Sequence, residues 1–127
     1  MKTLELWHAM LSERNPDRLD DILDDDCVFI SPVVHTPQRG HALTKLYLTG
    51  AMNIFNDSFE YVKEIVTDQH AVLEFTCNLD GIEVNGVDII TFGEDGKITE
   101  FKVMVRPLKG MNMLHGKMQS MLEQLSA

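Results

Sequence analysis

The period of the apolar residues changes after residue 58, and this limits the fold more than any other feature. Before it, apolar side chains recur at steps of three and four, as on one face of a helix. After it they alternate with polar ones, as on a strand with one buried face. Tyr61–Val66, Ala71–Leu79, Ile82–Phe92 and Ile98–Val105 are the four strand candidates. Asp80-Gly81 and Asp95-Gly96 separate the last three. Asp-Gly favours tight hairpin turns, because both residues tolerate positive φ. The second half of the chain therefore reads as an antiparallel meander.

The first half reads as helices around one short strand. Leu4, Trp7, Met10 and Leu11 share a face and predict a helix over 3–13. Asn15 is placed to cap, and Pro16 to open, a second helix over 16–23 with Leu19, Ile22 and Leu23 inside. Cys27–Ser31 is a short strand that Pro32 ends, and Pro32–Gly40 is a loop. A third helix is predicted over 41–53, with Leu43, Leu46, Tyr47 and Met52 spaced for burial. After Pro107 a fourth is predicted over 111–125, with a stripe of Met111, Leu114, Met118, Met121, Leu122 and Leu125. Helices followed by a meander make an α+β order. To bury its inner face such a sheet curls over the N-terminal helices as a cone with a mouth at one end, with the C-terminal helix added.

A chain of 127 residues suits a single domain, 1–127, with one core. Its net charge of −9 argues against nucleic acid and against anionic membranes as partners. Met1-Lys2-Thr3 leads to Glu5 and His8 rather than to an apolar run, and no stretch approaches the roughly 18 apolar residues of a membrane span. Cys27 and Cys77 read as reduced thiols, and a cytoplasmic protein is expected. No C-x-x-C and no histidine pair at helical spacing is present, so no metal or other cofactor is expected. The run Asp20, Asp21, Asp24, Asp25, Asp26 lacks the glycine and final glutamate of a calcium loop and reads as a solvated helix face.

Several local patterns recur in a known order. After the first helix come an Asn/Asp-rich turn, the acidic Asp24-Asp25-Asp26, a strand, then Pro32-Val33, Pro37 and Gly40 before the next long helix. Later Val87-Asp88-Ile89-Ile90-Thr91-Phe92 precedes Asp95-Gly96-Lys97-Ile98. Together they resemble the nuclear transport factor 2-like superfamily, in its ketosteroid isomerase and SnoaL-like branch, over most of residues 4–106.

That resemblance implies a site. In ketosteroid isomerases a carboxylate on the first strand moves the proton. A tyrosine on the first helix and a neutral aspartic acid on a later strand hold the enolate oxygen. Here Ser31 stands at the position of the base, Trp7 at that of the tyrosine and Asp88 at that of the acid. A serine hydroxyl cannot take a proton from carbon near neutral pH without a base of its own. His35 lies beyond Pro32 in the loop. Epoxide hydrolases of the superfamily would carry an arginine two residues before Asp88, where this chain has Gly86. SnoaL-like polyketide cyclases, which work through a pocket aspartate without a cofactor, resemble it more.

Alternation puts Asp88, Ile90 and Phe92 on one face. The same rule turns Phe29, Phe75, Cys77, Leu79, Phe101, Val103 and Val105 inward with Tyr47. The expected pocket is thus Trp7, Phe29, Ser31, Tyr47, Phe75, Cys77, Phe101, Val103 and Val105 around Asp88. Glu74, Thr76, Glu100, Lys102, Met104 and Arg106 face out, where a homodimer is expected to form. The first functional reading is a module that binds a small apolar or aromatic molecule. The alternative is a cofactor-free acid/base enzyme, of isomerase or polyketide-cyclase type, acting through Asp88. A third is a protein that uses the fold only to dimerise.

Overall fold

The computed structural model describes residues 1–126. Helix α1 (Lys2–Glu13) buries Leu4, Trp7 and Met10 and closes at Arg14, which takes the left-handed conformation. Asn15 Oδ1 then accepts from the backbone N–H of Asp17 at 3.0 Å, which opens a 3₁₀ turn over Pro16–Arg18. Helix α2 (Leu19–Ile22) is a single turn. The predicted helix over 16–23 is therefore shorter than expected, because the backbone becomes extended at Leu23.

Strand β1 (Leu23–Ile30) starts earlier than predicted and absorbs part of the acidic run. Asp24, Asp25 and Asp26 lie on this strand and not on a helix face. They sit between the buried Leu23 and Cys27, where the pairing of β1 with its neighbour is irregular. Asp24 Oδ2 accepts from the backbone N–H of Asp26 at 2.9 Å. The loop that follows contains a short strand β2 (Gln38–Arg39), paired with Val28 and Phe29. Helix α3 (His41–Ile54) comes next.

The meander is β3 (Glu60–Val66), β4 (His70–Leu79), β5 (Ile82–Phe92) and β6 (Ile98–Arg106), and α4 (Leu108–Ser126) follows Pro107. Asp80 and Gly81 both have positive φ, 53° and 85°, as a two-residue hairpin turn requires. The six strands are ordered β2-β1-β6-β5-β4-β3. Strands β3 to β6 are antiparallel neighbours. Strand β1 runs parallel to β6, so the sheet is mixed and not antiparallel throughout. The far edge of the meander is free to accept β1, and nothing in the pattern of β1 itself declares that partner.

The curled, open sheet keeps strict alternation on its central strands. Ala71, Leu73, Phe75, Cys77 and Leu79 of β4 are buried, as are Val84, Gly86, Asp88, Ile90 and Phe92 of β5. Burying each large apolar side chain stabilises the fold by roughly 1.5–3 kcal/mol. These residues form two clusters. One gathers Leu4, Trp7, Met10, Phe29 and Phe101; the other gathers Phe75, Cys77, Leu79, Val84 and Leu114. Tyr61 and Val103 pack against both. On β5, Gly86 is fixed by its neighbour: a Cβ there would lie 2.3 Å from Cζ of the Phe75 ring.

Candidate functional site

A cavity of about 200 Å³ takes its walls from both clusters. Trp7 and Leu11 come from α1, Phe29 from β1, and Tyr47, Leu48, Ala51 and Met52 from α3. Phe55 and Phe59 come from the connection to β3, and Tyr61, Phe75, Asp88, Phe101 and Val103 from the sheet. Helix α4 closes it with Leu114, His115, Met118, Gln119 and Leu122. Aromatic rings pack against one another in the walls. Phe29 stacks on Tyr47 with centroids 5.2 Å apart, and Trp7 meets Phe101 edge-on at 5.0 Å.

Asp88 is the acid of this cavity and is 6% exposed. Tyr61 donates its hydroxyl hydrogen to Asp88 Oδ2 at 2.6 Å. Trp7 Nε1 in turn donates to the Tyr61 oxygen at 3.0 Å. Among the described residues Asp88 Oδ1 has no hydrogen-bond partner, and no cationic side chain pairs with the carboxyl. Loss of water raises the Asp88 pKa from its ordinary 3.8 to about 7, against the opposing effect of the Tyr61 hydrogen bond. Burial, and then the charge of Asp88, push Tyr61 well above its own ordinary value, so it stays a hydroxyl donor.

The expected pocket residues divide. Trp7, Phe29, Ser31, Tyr47, Phe75, Phe101 and Val103 line the cavity together with Asp88. Cys77 and Val105 do not. They pack in the second cluster, where Cys77 Sγ lies 3.4 Å from Ser58 Oγ. Two roles also need correction. Trp7 does not reach Asp88 or keep a free N–H for a ligand, because Tyr61 takes its one donor. The Ser31 hydroxyl accepts from the backbone N–H groups of Val33 at 3.1 Å and Val34 at 3.3 Å, and so holds the turn after β1. His35 is exposed and does not line the cavity.

Tyr61, Phe55, Phe59 and the α4 residues are among the lining members absent from the expected pocket, as are Leu11, Leu48, Ala51 and Met52. Two phenylalanines beside Asn56-Asp57, between a helix and a strand, were a readable signal, because aromatic rings seldom stay in solvent without a role. Among the described residues no group of three or more His, Cys, Asp or Glu is arranged to hold a metal ion. Among the described residues no helix is long and apolar enough to cross a membrane.

Residues 4–101 match the family model of the SnoaL-like domain. The chain belongs to the SnoaL-like domain family. This places it in the nuclear transport factor 2-like superfamily that its motifs resemble. Among solved structures this SnoaL-like domain is similar to a steroid delta-isomerase from Pseudomonas aeruginosa, at 33% identity and a TM-score of 0.92, over 99% of this chain and 93% of that one. An uncharacterized bacterial protein with a cystatin-like fold from Silicibacter pomeroyi DSS-3 is 24% identical with a TM-score of 0.86, over 93% and 83% of the two chains. A putative SnoaL-like polyketide cyclase from Jannaschia sp. CCS1 is 12% identical with a TM-score of 0.68, over 88% of each chain. The last two speak to the fold of the SnoaL-like domain alone. A search of curated proteins gives no match.

Proposed function

We propose that this SnoaL-like protein binds a small, mostly apolar ring compound and holds one of its oxygens at Asp88. The observation that carries this reading is a lone buried carboxyl, without a cationic partner, in an otherwise largely apolar cavity. Such a site suits a mostly apolar ligand with an oxygen at its buried end. Size narrows the class. A dry cavity of about 150 Å³ accepts benzene, so one of about 200 Å³ suits one ring or a pair of fused rings. Protonated Asp88 would donate to a carbonyl oxygen, while Tyr61 and Trp7 hold the carboxyl in place.

The test uses 1-tetralone, a bicyclic ketone whose oxygen only accepts hydrogen bonds. Calorimetry is expected to show binding near pH 6 that weakens as pH rises past 7, where Asp88 loses its proton. Asp88→Asn keeps a donor that does not titrate, so its binding is expected to be flat with pH. Absence of binding, or a wild-type affinity indifferent to pH, contradicts the reading.

Cofactor-free acid/base catalysis is the second reading, favoured by the same pKa, since a group that titrates near neutrality is suited to proton transfer. The similarity to the steroid delta-isomerase from P. aeruginosa lends it support. Against isomerisation of the ketosteroid kind stands Ser31, whose hydroxyl is spent on a turn.

Pairing of two copies through the outer sheet face belongs to the same proposal. Met104 is 50% exposed there, beside Val72 and Val87 and between Lys63, Glu74 and Arg106. A face carrying both charges is able to meet its own copy across a two-fold axis. Light scattering at micromolar concentration checks it, and a monomer mass contradicts it. A cytoplasmic location is also proposed, on the ground that Cys27 and Cys77 are both free and buried.

A further inference from the structure

Helix α4 brings two polar side chains to a cavity that is otherwise apolar on that side. Leu114, Met118 and Leu122 form its inward stripe, yet His115 and Gln119 line the same space. Four residues apart, they lie one above the other on the helix. Both are also exposed to solvent, whereas Asp88 is buried. The cavity therefore has polar groups at two depths: a carboxyl inside, and an imidazole with an amide where it opens. Among the described residues neither His115 nor Gln119 makes a side-chain hydrogen bond or ion pair. Their donors and acceptors are free, unlike the hydroxyl of Ser31 and the indole of Trp7.

Resting on the reading that Asp88 holds an oxygen of a ring compound, we infer that His115 and Gln119 form a second polar contact and that the natural ligand is two-ended. Its body is one ring or two fused rings, with a carbonyl or hydroxyl at the inner end and a second hydroxyl or carbonyl at the outer end. The residues that fix orientation in an apolar pocket are the few polar ones, and here they come from two different elements, the sheet and the C-terminal helix.

The experiment compares 1-tetralone with 6-hydroxy-1-tetralone, which carries a second oxygen across the ring system. Calorimetry at pH 6 is run on the wild type and on a His115→Ala/Gln119→Ala variant, whose changes lie on the exposed part of α4; thermal melts check its folding. The wild type is expected to favour the hydroxylated ketone by about threefold to tenfold, the worth of one hydrogen bond. That preference is expected to fall to near one in the variant. Equal affinities in the wild type, or a preference that survives in the variant, overturn the inference while leaving the Asp88 reading standing. If 1-tetralone itself fails to bind the wild type, both fall together.

Discussion

Tyr61 donates its hydroxyl hydrogen to Oδ2 of Asp88 across a distance of 2.6 Å, from a strand two places away in the sheet. The bond stabilises the ionised carboxylate, so it works against the burial that favours the neutral acid. Asp88 sits near 7 because these two influences compete. Trp7 anchors the tyrosine oxygen from α1.

Tyr61→Phe removes the opposing influence. The Asp88 pKa is expected to rise above its wild-type value, followed by NMR titration of the carboxyl carbon. The indole N–H of Trp7 loses its acceptor, at a cost of roughly 1–3 kcal/mol for an unsatisfied buried donor. An Asp88 pKa that is unchanged or lower in this variant contradicts the assigned role of Tyr61.

Folding stability should depend on pH through Asp88. The native carboxyl keeps its proton up to about 7, whereas the unfolded one loses it near 3.8. The folded state binds more protons in that window, so stability falls as pH rises from about 4 to 7 and levels off above. At full ionisation the loss is on the order of 4 kcal/mol, from about 1.36 kcal/mol per unit. Urea titrations at several pH values measure it. Asp88→Asn is expected to flatten this part of the profile, and an equally steep profile in that variant would refute the assignment.

Gly86→Ala is expected to destabilise the protein by roughly 1–3 kcal/mol, as overpacking does. The new methyl would meet the Phe75 ring at 2.3 Å, and that ring is a cavity wall. Weaker 1-tetralone binding should accompany the loss. A variant as stable as the wild type shows that the ring moves freely. The same contact leaves no room for an arginine two residues before Asp88, because the Phe75 ring occupies that space.

Turnover of a Δ5-3-ketosteroid is expected to be absent or very slow, because no base replaces the one missing at Ser31. Ser31→Asp is expected to restore at most a trace of activity if steroids enter, since its carboxylate would be engaged by the backbone N–H groups of Val33 and Val34 that the Ser31 hydroxyl now accepts from. Wild-type rates near those of a competent isomerase would show that another group serves as base.

The sequence made much of this architecture legible, and the gaps have physical causes. Strands β4 and β5 alternate cleanly, and Asp-Gly turns join β4, β5 and β6, so the faces of β4 and β5 and the inward placement of Asp88 followed from period. Strand β3 is largely exposed and irregular between Tyr61 and Lys63, so alternation could not say where Tyr61 points. The parallel pairing of β1 with β6 is a long-range choice with no local signal. Cys77 and Val105 face inward as alternation requires, but they lie past the end of the cavity, and period says nothing of position along the cone. Helix α4 showed an apolar stripe, but not what that stripe would cover.

The protonation of Asp88 is measured most directly by titrating its carboxyl carbon by NMR, in the free protein and in protein saturated with 1-tetralone. A pKa near 7 is expected in the free protein. It should rise further with the ketone bound, because a carbonyl oxygen prefers the protonated acid. A free-protein value near the ordinary 3.9 or so, or a fall on adding the ketone, would mean that Asp88 is an ionised, hydrated carboxylate and does not hold the ligand as a neutral donor.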